Sequence, residues 1–514
     1  MADSKTKNSS RNLVFGICLK VYQLLVPFLI RTIIIKILGI EYAGLNSLFT
    51  SILQVLNIAE LGVGTALVFS MYKPIVEHDD KKICALMQLY KIYYRVIGLV
   101  ILAIGLCITP FLSKLIKGDV PPDINIYVLY FLNLGATVLS YWLFAYKNSL
   151  FQAHQRNDVV SKVTILTNTV MYVLQISLLC IYKNYYFYVI IMLFAQVLNN
   201  ILVAAQANKY YPHYKAKGKL DKEETHKINV SIKDLFYSQL GLVITTSVDS
   251  IVISAFLGLV PLAIYQNYYY ILNALIAFFT IFYQSCRASI GTNLIVKSKE
   301  ENFKDYQFIT FIVMGVLSFC VSCLLCLYQP FIELWVGKEN MLDDICVVLF
   351  GVYFFVYELA RLIGCYKDVS GKWHADRFRP LITAIVNLVS NIIMVQYIGI
   401  YGILLSTIFS FLLVNIPWLY KRVFIDIFEI EEKKIYSQYI GYKVLVFFII
   451  VSMNSALCRM MHLPYNYLQL IINLLICTVL TGVFYSLANS KDKNFIRLIR
   501  ITRRFLGSDT NNSK

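Results

Sequence analysis

Two cations lie in the first long apolar stretch of the chain, at a spacing that gives them a common helical face. Gly16, Lys20, Gln23, Pro27 and Arg31 follow one another at intervals of four, three, four and four, which stacks them along one side of a 3.6-residue turn. An ammonium and a guanidinium on one stripe suit a pyrophosphate or other anionic headgroup, because guanidinium offers paired donors and ammonium a compact charge. The alternative for Lys20 is a stem that snorkels to the membrane surface. For Arg31 the inward reading is preferred, since Lys36 is better placed to snorkel. In LNIAELGVGTA, Asn57, Glu60 and Gly64 share a face, with Glu60 available to pair with a first-helix cation. In TTSVDSIVIS, Asp249 falls one turn after Thr245 and beside Ser250, so hydroxyl partners on its own helix are expected. It reads either as a proton or sodium coupling site or as a structural, hydrogen-bonded acid. Glu358 and Arg361 are three apart and are expected to pair with each other; Arg361 also stands as a second phosphate candidate. A coupling ion, H+ or Na+, is the only cofactor these residues imply.

These charges matter because of where they sit. Of 514 residues, 58% are hydrophobic and 15% charged, and the mean hydropathy is +0.64. A soluble fold of this length needs more polar surface, so lipid must supply much of the solvent. An ionisable group at membrane depth costs at least about 2.5 to 3.5 kcal/mol. Stretches long enough to span recur near 13–38, 44–70, 86–112, 124–147, 161–182 and 185–207, then near 231–257, 262–288, 306–328, 345–366, 379–398 and 401–420, and finally near 438–458 and 465–488. The fold class is therefore all-α and polytopic, with about fourteen transmembrane helices. The first stretch carries Lys20, Arg31 and Lys36 and no small-residue cleavage site, so it reads as a retained helix.

The net charge of +17 raises nucleic acid as a partner, and the placement of the basic residues excludes it. Of the 47 Lys and Arg, 37 lie in or beside the amino terminus, the even-numbered connections and the tail, whereas the odd-numbered connections hold five: Lys114, Lys117, Lys183, Lys338 and Arg459. That asymmetry is topological and puts both termini in the cytoplasm. The first helix ends IIIKILGIEYAGLNSL and the seventh IVISAFLGLVPLAIYQNY, so Leu38-Gly39 and Leu257-Gly258 take equivalent places before a tight turn. This indicates two pseudo-symmetric six-helix lobes around a central cavity. The division expected is 1–208 and 231–421 for the lobes, 209–230 for a basic linker, 422–490 for two further helices and 491–514 for a basic tail. Most of the twelve cysteines fall in apolar stretches, Cys320, Cys323 and Cys326 in one helix, and are assigned to packing. Tyr265, Tyr268, Tyr269 and Tyr270 fit an interfacial belt. Short outer connections argue against an enzyme such as a glycosyltransferase or polymerase. A basic first-helix face argues against an exporter of small cationic drugs, which remains the alternative.

The segments LGIEYAGLNSLFTSIL, LNIAELGVGTA followed by MYKPI, the stretch around Asp249, and GKWHADRFRPL resemble Wzx-type polysaccharide repeat-unit flippases of the MOP exporter superfamily, related to MATE exporters and lipid II flippases. The resemblance runs over nearly the whole length. It implies alternating access through a cationic cavity in the bacterial cytoplasmic membrane, ion-gradient coupling, and an undecaprenyl-pyrophosphate-linked oligosaccharide as substrate for capsule, O-antigen or exopolysaccharide assembly. Membrane lipids, a polysaccharide polymerase and other assembly proteins are the implied partners. Arg31 and Glu60 match positions typically polar in that family, and Asp249 matches a typical seventh-helix acid. The segment from Trp373 to Pro380 is implied to act in gating or lobe docking.

Overall fold

A computed structural model describes residues 2–370, 376–429, 433–461 and 466–505. Among them every regular element is helical. The helices are α1 (Ala2–Ile37), α2 (Ile40–Leu56), α3 (Val63–Glu77), α4 (Asp80–Ile108), α5 (Ile126–Trp142), α6 (Asn148–Ala153), α7 (Asn157–Tyr182), α8 (Tyr185–Tyr210) and α9 (Lys222–Phe256). They continue as α10 (Leu259–Val296), α11 (Lys299–Val336), α12 (Asp344–Val369), α13 (Arg379–Ile398), α14 (Ile400–Ile425), α15 (Lys433–Met460), α16 (Tyr467–Ala488) and α17 (Lys493–Phe505). Twelve continuous helices among the described residues are long and apolar enough to span a membrane. Two bent pairs, residues 40–77 and 126–153, bring the number to the expected fourteen.

Several helices outrun the apolar stretches because their polar flanks favour helix too. α11 starts seven residues before the expected 306, behind a reciprocal cap in which the Ser298 hydroxyl accepts from Glu301 N–H and Glu301 Oε2 accepts from Ser298 N–H. Its 38 residues rise about 57 Å, well beyond a hydrocarbon layer of about 30 Å. α8 and α9 likewise extend into the 209–230 connection and leave 211–221 between them. Within α14, π-helical turns at Phe411–Asn415 and Lys421–Ile425 flank Pro417, whose missing N–H cannot hold the α register.

The predicted equivalence of the two tight turns has a backbone counterpart. Gly39 and Gly258 have φ of 120° and 106°, and each donates its N–H to the carbonyl five residues back, Ile34 and Ile253 respectively. Only glycine takes such φ values without strain.

Packing divides the chain into two compact units: residues 1–266 with 380–400, and residues 267–379 with 401–514. In the first, α1 packs on α7, α7 on α8, α4 on α5, and α2 on α9. In the second, α11 is central and touches α12, α15 and α16. Each unit buries a carboxylate among several cations. Asp158, 1% exposed, pairs with Arg11 at 2.9 Å and Arg156 at 3.0 Å. Asp376, 3% exposed, pairs with Lys367 at 2.9 Å and Arg379 at 2.8 Å. Burial alone would raise the Asp376 carboxyl, but the bonds and charges of Arg379 and Lys367 hold it below the usual carboxylate range. Arg379 also donates to the Asn415 side chain at 2.9 Å, which ties the start of α13 to a π-helical turn of α14. Of the motif GKWHADRFRPL, residues 371–375 lie outside the described residues.

Candidate functional site

The first-helix stripe changes character along its length. Lys20 and Gln23 are exposed, whereas Arg31, nearer the carboxyl-terminal end of α1, is partly buried. Arg31 Nη1 donates to Ser47 Oγ at 3.2 Å and Nη2 to the Ala263 carbonyl at 3.0 Å. The guanidinium therefore points into its unit and joins α1 to α2 and the start of α10. Ser47 is placed to receive it because its own hydroxyl donates to Ala43 O one turn back.

Glu60 lies at a break. Asn57–Glu60 is a 3-10 turn, Leu61 is extended, Gly62 takes φ 86°, and α3 then leaves at 42° to the preceding segment. A second break follows α5, where Phe144 has φ 60° and the next segment departs at 47°. A bulky residue in the left-handed region costs about 1 to 3 kcal/mol. Between the breaks is a cavity of about 250 Å³ lined by Glu60, Thr65, Tyr90, Tyr94, Asn148 and Gln152, among others. Tyr94 donates its hydroxyl to Glu60 Oε1 at 3.1 Å and exchanges a hydrogen bond with Tyr90 at 2.9 Å. Gly64 N–H also bonds the carboxylate. These partners correct the expectation of a cation from the first helix. The shared helical face is corrected too: Asn57 bonds Tyr141 at 3.1 Å, and the break rather than helical spacing brings Glu60 and Gly64 together. A β-carbon at Gly64 would come within 2.9 Å of both Glu60 Oε1 and the Tyr90 hydroxyl.

Asp249 is 6% exposed, and its partners come from other helices. Asn391 Nδ2 donates to Asp249 Oδ1 at 2.6 Å, and the Tyr265 hydroxyl also bonds the carboxylate. Asn387 Oδ1 lies 3.4 Å from the same Asn391 nitrogen. The expected local hydroxyls are spent elsewhere: Thr245 on the Gly241 carbonyl at 2.8 Å, and Ser250 in accepting from Gln266 Nε2 at 2.8 Å. Glu358 and Arg361 do pair, at 2.8 Å, with Glu358 0% exposed. Arg361 further donates to Ile276 O at 3.1 Å and Thr280 Oγ1 at 2.6 Å, and its guanidinium lies over Tyr283 and Tyr357 at 5.2 and 5.6 Å. Glu358 Oε2 is buried without a hydrogen bond.

Sequence reasoning missed Tyr90, Tyr94, Asn387 and Asn391. The asparagine pair left a signal, two amides one turn apart in an otherwise apolar stretch, AIVNLVSNII. The cysteines assigned to packing include Cys326, whose Sγ lies with those of Cys458 and Cys477 within 4.8 Å of one another. Phe319, Cys323 and Ile476 pack around them, and Asn454 bonds Ser322 and Thr481 at 3.0 Å across the same three helices.

The profile of a family described as polysaccharide biosynthesis proteins matches residues 9–286. Among curated proteins no sequence matches. Solved structures of similar fold include the lipid II flippase MurJ in an inward closed conformation, at 15% identity and a TM-score of 0.62, covering 93% of this chain and 99% of that one. A multidrug resistance MATE family transporter of the MOP superfamily, inward-facing, shows 14% identity and 0.62 over 80% and 96%. An outward-facing MATE family transporter of the same superfamily shows 14% and 0.54 over 82% and 96%. At such identities the likeness is one of fold, and it is the fold that the resemblance to Wzx-type flippases implies. With the profile matched over more than half its length, the chain belongs to the polysaccharide biosynthesis protein family and has the multi-pass helical fold of the MOP exporters.

Proposed function

We propose that the protein flips an undecaprenyl-pyrophosphate-linked oligosaccharide across the bacterial cytoplasmic membrane by alternating access, driven by a proton or sodium gradient, with both termini cytoplasmic. The observation that carries this reading is the placement of Arg31: a guanidinium at membrane depth turned into the protein, on the same helical stripe as the exposed Lys20. In the cycle, Lys20 engages the pyrophosphate first and Arg31 exchanges its bonds to Ser47 and Ala263 for phosphate oxygens. Arg361 stands as a second phosphate ligand. Asp249, set among amide and hydroxyl partners, takes the coupling ion, while Glu60, Asn57 and Glu358 supply the remaining polar groups at depth. The prenyl chain stays in lipid. The family match supports a lipid-linked substrate over a soluble one.

The test is flipping of a fluorescent undecaprenyl-pyrophosphate oligosaccharide in proteoliposomes, with and without an imposed gradient. Arg31→Ala should abolish flipping while the folded protein is retained, and Asp249→Asn should leave slow flipping that no gradient stimulates. Normal flipping by Arg31→Ala would remove the phosphate role. Efflux of small organic cations with no lipid movement would make the protein a MATE-like exporter instead.

A further inference from the structure

α17 follows α16 after four residues, and that junction is locked. The buried Lys443 ammonium bonds Asp492 Oδ2 at 2.5 Å and also the Asn489 side-chain oxygen. Asp492 Oδ1 accepts from Asn494 N–H at 2.8 Å. Arg497 pairs with Asp305 of α11 at 2.9 Å, and its guanidinium lies 4.3 Å over the Phe308 ring. Phe495 meets Phe311 in the same place. α17 is thus a fixed helix laid against the amino-terminal part of α11.

Its side chains divide between two flanks. Phe495, Leu498 and Ile501 are partly covered by the protein. Ile496 and Ile499 are 50% and 37% exposed, and Arg500 and Arg503 are exposed beside them. At 100° per residue, Ile499, Arg503, Ile496 and Arg500 fall in that order within a single arc of about 100°. Isoleucines alternating with guanidiniums around an arc are poorly served by water, yet they match a bilayer surface, where aliphatic stems enter the acyl layer and cations meet phosphates. The neighbouring span ends only four residues earlier, which sets the helix at headgroup level.

We infer that α17 is an interfacial anchor for anionic phospholipid, with Ile496 and Ile499 among the acyl chains and Arg500 and Arg503 on the headgroups. Through Lys443 and Arg497 it links that lipid contact to α15 and α11. The inference is independent of which substrate is flipped.

Hydrogen exchange of the full-length protein, compared in nanodiscs of phosphatidylcholine with and without phosphatidylglycerol, tests it. Peptides covering 493–505 should exchange several-fold more slowly in the anionic discs, and R500Q/R503Q should erase that difference while leaving exchange in α11 unchanged as a check on folding. Equal exchange in the two lipids would overturn the anchor. So would protection reproduced by inorganic phosphate in phosphatidylcholine discs, which would mark a free-anion site, or a lipid difference that survives in R500Q/R503Q.

Discussion

Glu60 and Glu358 are both carboxylates at membrane depth, one in each compact unit, and the two units solve the cost of burying them differently. Glu358 is answered by a cation: Arg361 binds it, spends further donors on Ile276 and Thr280, and lies against two tyrosine rings. Glu60 is answered by a tyrosine hydroxyl, a backbone N–H at the start of α3, and the polar cavity beside it. A buried ion pair resists change, because losing one partner strands the other charge. A carboxylate in a polar cavity can gain or lose a proton with little rearrangement of its surroundings. The breaks at Gly62 and Phe144 flank Glu60, whereas α12 runs unbroken through Glu358. The unit with bent helix pairs therefore holds the acid with neutral partners, and the other holds the acid paired to a cation.

The largest effect should follow from unbalancing the dry pair. Arg361→Met strands Glu358 and should destabilise the protein by about 3 to 5 kcal/mol. Glu358→Gln combined with Arg361→Met should recover most of that loss, since no charge is then left unpaired. Thermal unfolding of purified protein measures both, and a single variant no worse than the double would show that the pair is not what holds α12.

That pair was legible in the sequence because its two members lie on one turn of one helix. The spans were legible for a similar reason: hydropathy is a local property, and α7, α13 and α16 fall within a few residues of the stretches read for them. What stayed hidden was set by packing between segments. Nothing local announces that Asp249 will meet Asn391, 142 positions away, or that Glu60 will find Tyr94 instead of a cation. The break at Gly62 has a glycine as its signal, but the one at Phe144 has none, because a bulky residue is held there by its surroundings. The two asparagines of α13 could have been noticed as unusual, though not assigned a partner.

A smaller effect is expected from Asp376, the carboxylate that Arg379 and Lys367 clamp. Its folded pKa lies below the ordinary value, so the clamp's contribution is fully present above the unfolded value of about 4 and is lost as pH falls through the lower folded value. Unfolding temperatures should thus be insensitive to this group between about pH 5 and 8 and fall more steeply below about pH 4 in wild type than in Asp376→Asn. At neutral pH that substitution should cost roughly 1 to 3 kcal/mol. Identical acid limbs in the two proteins would show that the clamp contributes nothing to folding.

The comparison of the two glutamates is sharpest where stability should hardly move. Glu60→Gln keeps the shape of the side chain and an oxygen that can accept from Tyr94 and Gly64, and it removes only the capacity to carry a charge. Its effect on unfolding should stay below about 1 kcal/mol, while the response of flipping to an imposed proton gradient should weaken. Gly64→Ala probes the same cavity by volume: the added carbon would press on Glu60 Oε1 and the Tyr90 hydroxyl, and both side chains have room to yield because the cavity adjoins them. It should cost about 1 to 3 kcal/mol and slow flipping whatever the gradient. The two variants separate charge from fit. If Glu60→Gln flips with an unaltered gradient response while Gly64→Ala is impaired, the cavity is a hinge that needs space beside its breaks, and Glu60 serves it only as a cap for α3.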